Sequence, residues 1–200
     1  MTGLDQWACD HVMPFAGRPQ PPPTFLESLV PLLDASFHPL GIAFVQVVTL
    51  PGQVLLSFVL VVVAAWRLWQ RGRVEAAACW TAAWVTGVGV EVVLRHALTR
   101  DALYRHGVHL VSFDMSWPSG HALRCALVAA SLAAAWPRLR LPLALWLVAC
   151  VVLLELGGFH TPTDIVGGLL LAAAVSAGAT AVERSALLRR RAAALRRAGA

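Results

Sequence analysis

His121 follows the turn-forming Pro118-Ser119-Gly120 and opens an apolar run, and His160 stands four residues before Asp164 in GGFHTPTD, residues 157–164. Each stretch has a definite chemistry. Ser119 is a good N-cap, and Gly120 lets backbone come close to a ligand at the start of a helix. A helix start offers unpaired N–H groups and the positive end of the dipole, which together bind anions, and His121 sits beside that site. At a separation of four, the Asp164 carboxylate can accept the Nδ1 proton of His160 and leave Nε2 free as nucleophile or base. Taken singly, PSGH reads equally as an interfacial helix cap, and the His–Asp pair as a capping aspartate beside an interfacial histidine.

These residues need elements to hold them, and the composition says which kind. The chain of 200 residues is 58% hydrophobic and 14% charged, too apolar for an ordinary soluble domain of this length. It reads as an all-α, polytopic membrane helix bundle. A spanning helix needs about 20 mostly apolar residues, and five stretches are candidates: 44–68, 76–94, 119–136, 141–159 and 165–182, the third and fifth being short. The PQPPP run at 19–23 is a stiff linker, and Phe25, Leu26, Leu29, Leu32 and Leu33 put apolar groups near one face of an interfacial helix limited by Pro31. The expected organisation is an N-terminal extracytoplasmic segment over 1–43, a membrane core over 44–183 and an Arg-rich cytoplasmic tail over 184–200.

Every one of the 16 basic residues is arginine, and six lie in the tail from Arg184 to Arg197. This concentration argues for a membrane-orienting tail and against a nucleic-acid surface. Arg67, Arg71 and Arg73, then Arg138 and Arg140, then the tail, fall on one side of a five-span chain, so the N-terminus is expected outside and the C-terminus in the cytoplasm. PSGH and HTPTD then share the exterior face of a cell-membrane protein. Four cysteines without a CxxC pair suggest neither a zinc site nor a disulfide framework, and the first 25 residues do not read as a cleaved signal peptide.

With PSGH and HTPTD in this order on one face, the chain resembles the type 2 phosphatidic acid phosphatase family, membrane relatives of the vanadium haloperoxidases, over residues 44–182. That family's pattern is K-x6-R-P, then P-S-G-H, then S-R-x5-H-x3-D. The resemblance implies a metal-independent phosphatase, needing no cofactor, that acts on a lipid phosphate or polyprenyl diphosphate among the membrane lipids. It implies His160 as the nucleophile that forms a phosphohistidine, Asp164 as its orienting carboxylate, and His121 as the acid that protonates the leaving oxygen and then activates water. Ser119 and the amides of Gly120 and His121 would cradle the phosphoryl oxygens.

The first and third motifs depart from the pattern. Arg95 stands where the family has Lys, but Ala102-Leu103 replace Arg-Pro and Leu153-Leu154 replace Ser-Arg. Arg124, one turn after His121, has to point into the bundle and find an anion. It is expected either to replace one lost phosphate clamp, held by Glu155, or to form only a structural ion pair with it. Arg100 could replace the other clamp or be a solvated loop charge. Glu91, four residues before Arg95, can pair with it along one helix. His96, His106, His109 and Asp114 match no metal-site spacing. Two further readings stand beside the enzyme: a weak or inactive homologue that binds or carries lipid phosphates, and a structural membrane protein with accidental motifs.

Overall fold

The computed structural model describes residues 2–13, 40–98, 101–105 and 108–198. The expected interfacial helix over 25–33 lies outside them. The helices are α1 (Thr2–His11), α2 (Leu40–Thr49), α3 (Val54–Gln70), α4 (Val74–Ala97), α5 (Gly120–Ala135), α6 (Arg140–Leu156) and α7 (Pro162–Ala198). The strands among the described residues are β1 (Tyr104–Arg105) and β2 (Val108–His109), one antiparallel pair in the loop between α4 and α5. The architecture is the all-α membrane-type bundle that the composition calls for.

Among the described residues, three of the expected spans meet the length and apolarity that a crossing helix needs, Val74–Ala97, Pro137–Leu156 and Pro162–Arg190, and a bent pair, α2 with α3, supplies a fourth. That bend corrects the expected continuous helix over 44–68: Leu50–Gly52 forms a 3-10 turn, and the two halves meet at 54°. Pro51 lacks a backbone N–H and its ring crowds the preceding turn, so the helix breaks there. The expected span at 119–136 is the short helix α5, about 24 Å long at 1.5 Å per residue against a hydrocarbon core of about 30 Å.

Shortness is tolerable because α5 is central. It packs against α3, α4, α6 and α7, and ten of its sixteen residues are buried. Its alanines, serine and cysteine keep it thin enough for four neighbours to approach. Leu123, Leu127 and Val128 form the apolar centre with Val61, Trp84 and Ala172. The outer helices are apolar on their open faces: α6 exposes Leu141, Leu145, Val148, Val152 and Leu156 at helical spacing, as a lipid-facing stripe requires.

The two ends of the bundle differ. At one end Arg71 and Arg73 donate to the carbonyls of Ala135 and Ala134, answering the last turn of α5, and Arg73 pairs with Glu183. The other end carries the first turns of α5 and α7, and α1 docks there. Ala8, Cys9 and Met13 pack on Leu103, Leu110 and Phe113, and Gln6 bonds the backbone of Tyr104 on both sides. Asp5, fully buried, accepts from the Thr163 N–H at 3.1 Å and from its hydroxyl. Asp5→Ala leaves those donors without this acceptor, at a cost of about 1.5–3 kcal/mol. A thermal midpoint several degrees lower in detergent, with faster protease release of the N-terminal segment, is the expected result; an unchanged midpoint would mean that α1 is not held by this contact.

Candidate active site

The site is built where α7 meets α5. Thr161-Pro162-Thr163-Asp164 starts α7 with half of a capping box: Asp164 Oδ2 accepts from the Thr161 N–H at 3.0 Å. The same oxygen accepts from Ser116 Oγ at 2.6 Å. Ser119 caps α5 as its residue type predicts, accepting from the Ala122 N–H at 3.2 Å, while its own N–H donates to the Asp164 carbonyl at 2.8 Å. This cap answers Ala122 and Leu123 and leaves the amides of Gly120 and His121 outside the helix ladder. Gly168 allows the approach, since a Cβ there would lie 2.3 Å from the Ser119 carbonyl oxygen.

His121 and His160 come together from different helices, with ring centroids 5.8 Å apart and planes inclined at 50°. His160 is 7% exposed. Its Nδ1 is 3.9 Å from Asp164 Oδ2 and has no hydrogen-bond partner among the described residues. The two groups thus face each other without a hydrogen bond, and the facing carboxylate oxygen accepts from Ser116 and Thr161.

Arg124 does point into the bundle, but its anion is Glu91 and not Glu155. Nη1 donates to Glu91 Oε2 at 2.7 Å and Nε to the Gly52 carbonyl at 2.6 Å. Glu91 Oε1 is 3.2 Å from Arg95 Nη2, so the expected Glu91–Arg95 pair forms as part of a three-residue network. Arg95 Nε is buried without a partner among the described residues. Arg100 lies outside those residues. His109 pairs with Asp114 at 2.8 Å and His96 Nδ1 meets the Val92 carbonyl, and no group of three His, Cys, Asp or Glu among the described residues could hold a metal ion.

Two participants escaped the sequence reading. Glu91 was linked only to Arg95, although a carboxylate within an apolar helix is itself a signal for a buried partner. Gly52 was missed although a Pro-Gly pair inside an apolar run marks a break. The departures from the motifs also find their reason in packing. Leu103 is buried under α1, and Leu154 packs on Ala122 and Ile165 beneath the first turns of α5 and α7.

Two histidines, an aspartate and two arginines are thus gathered around a helix start in a membrane-type bundle. Residues 95–186 match the family model described as PAP2 superfamily, consistent with a type 2 phosphatidic acid phosphatase family member. The matched segment holds PSGH, HTPTD, Arg95 and Arg124, and it supports a phosphoric ester hydrolase at that level. No curated protein and no solved structure matches the chain.

Gly120 has a task that sequence alone did not assign: a Cβ there would lie 2.0 Å from Glu91 Oε1 and 2.6 Å from Arg124 Nη1. Glu91 is pinned by two guanidiniums, so making room breaks the network. Gly120→Ala is expected to destabilise by about 1–3 kcal/mol, whereas Gly178→Ala, with nothing within 4 Å of its new methyl, leaves the midpoint unchanged or raises it. Equal midpoints for the two variants would contradict the close approach.

Proposed function

We propose that the protein is an integral membrane phosphatase that hydrolyses a lipid phosphate or a polyprenyl diphosphate through a phosphohistidine, at the extracytoplasmic end of the bundle. The observation that carries this reading is the facing pair His121–His160 at the start of α5, with Arg95 and Arg124 linked beside it. The arginines of the other end, Arg71 and Arg73, support a cytoplasmic placement for that end.

In the mechanism, His160 Nε2 attacks phosphorus and the bond to the leaving oxygen breaks as His121, in its protonated form, gives that oxygen its proton. Lipid alcohol leaves, or a lipid monophosphate if the substrate is a diphosphate. His121 then takes a proton from water, whose oxygen attacks phosphorus; the P–N bond breaks, its electron pair returns to His160, and inorganic phosphate departs. Asp164 favours the positive charge that His160 carries in the intermediate, at a contact that tightens when substrate is bound. The Gly120 and His121 amides and the guanidiniums act on the equatorial oxygens, where charge develops.

A second reading, a homologue that binds or carries lipid phosphates without turnover, is favoured by Ala102 and Leu154, which stand where the family has arginine. One experiment separates them: phosphate release from a panel of lipid phosphates by the purified protein in detergent. Release that disappears in His160→Ala is expected. Saturable binding with no release supports the carrier, and equal release by both forms removes the enzyme reading. Within the enzyme, Arg124→Ala should lower kcat by about 10²–10³, with Arg124→Lys retaining part of the rate. Unchanged release by Arg124→Ala at normal expression would remove Arg124 from the phosphate clamp.

A further inference from the structure

We infer that Glu91 is the positioning residue of this anion site, holding Arg95 and Arg124 as one unit whose remaining donors meet the phosphoryl group as charge develops on it. The inference rests on the phosphatase reading above. Glu91 is 4% exposed and Arg124 6% exposed, so neither charge is answered by water. The two carboxylate oxygens divide between the two guanidiniums, Oε2 to Arg124 at 2.7 Å and Oε1 to Arg95 at 3.2 Å. Without that carboxylate two like charges would face each other in an apolar bundle, and each would swing away toward solvent or a carbonyl.

The donor count shows what is left for a ligand. A guanidinium has five N–H groups. Arg124 commits Nε to the Gly52 carbonyl and one Nη1 proton to Glu91, which locks its plane without exhausting it. Arg95 meets Glu91 through Nη2 and keeps a buried Nε without a partner among the described residues. One carboxylate against two guanidiniums leaves a net positive charge, so the unit still attracts an anion. Its place is fixed on the other side by the missing Cβ of Gly120, in whose space Glu91 Oε1 lies. The network therefore abuts the first turn of α5, next to the amides of the cradle.

Glu91→Gln keeps the shape and removes the charge. Its amide oxygen can accept from one arginine, while its NH₂ faces the other donor to donor and releases it. The expected result is a kcat lower by about 30-fold or more with KM changed less than threefold, and a parallel weakening of inhibition by orthovanadate, which mimics the five-coordinate transition state. Inhibition by inorganic phosphate should move little, while the thermal midpoint falls, because a buried guanidinium loses part of its counter-charge. Should that variant not accumulate, Glu91→Asp keeps the charge one methylene short, and the same kcat loss against a steady KM is expected. An unchanged kcat and vanadate inhibition, or a loss confined to KM, would overturn the positioning role while leaving the phosphatase reading intact. No phosphate release by the unmodified protein would remove that reading and this inference with it.

Discussion

A guanidinium inside an apolar bundle must be met by an anion and by carbonyl oxygens, and meeting Arg124 imposes conditions on three other elements. The anion comes from α4 as Glu91. The carbonyl comes from Gly52, at the break between α2 and α3, where a continuous helix would have spent the same oxygen on the amide of Leu56. The third condition is space, supplied by α5 itself through Gly120. The bend in the first apolar stretch is thus part of the site's support, and the proline that causes it acts at a distance on the histidine end.

The same logic separates the bundle into two polar ends and an apolar middle. At the far end Arg71 and Arg73 take the carbonyls that terminate α5. At the near end Ser119, Asp164, Ser116 and Thr161 bond to one another across the junction of α5 and α7. Between them Leu123, Leu127 and Val128 pack against the surrounding helices. A short central helix held at both termini is a stiff support for the side chains gathered at its start. The N-terminal helix adds to it from outside the matched segment, through Asp5 on Thr163.

Much of this was legible because membrane helices and helix caps obey local rules. Apolar runs located the helical core, Ser119 and Asp164 had the residue types for caps, and the four-residue spacing of Glu91 and Arg95 anticipated their pair. What local rules do not carry is the choice of partner across helices. Glu155 and Glu91 were both carboxylates near the right depth, and which one Arg124 meets depends on how α4, α5 and α6 are rotated, which spacing within each helix does not encode. The first stretch was read as one span because its hydropathy is continuous; the turn at Leu50–Gly52 is set by one ring and one missing side chain that hydropathy averages away. The His160–Asp164 contact was anticipated as a hydrogen bond, but the facing oxygen accepts instead from Ser116, 48 residues away in sequence.

The replaced motif residues fit the same accounting of charges. Among the described residues the buried carboxylates are Asp5, Glu91 and Asp164. Asp5 is committed to Thr163, Asp164 to Ser116 and Thr161, and Glu91 already serves two arginines. An arginine at position 154, beneath the turns that carry His121 and His160, would add a further buried charge that needs an anion of its own. Leucine there, packed on Ala122 and Ile165, removes that demand. With leucine at position 154, the buried cationic groups near the histidines lie on the α4 and α5 side, where Glu91 meets both Arg95 and Arg124.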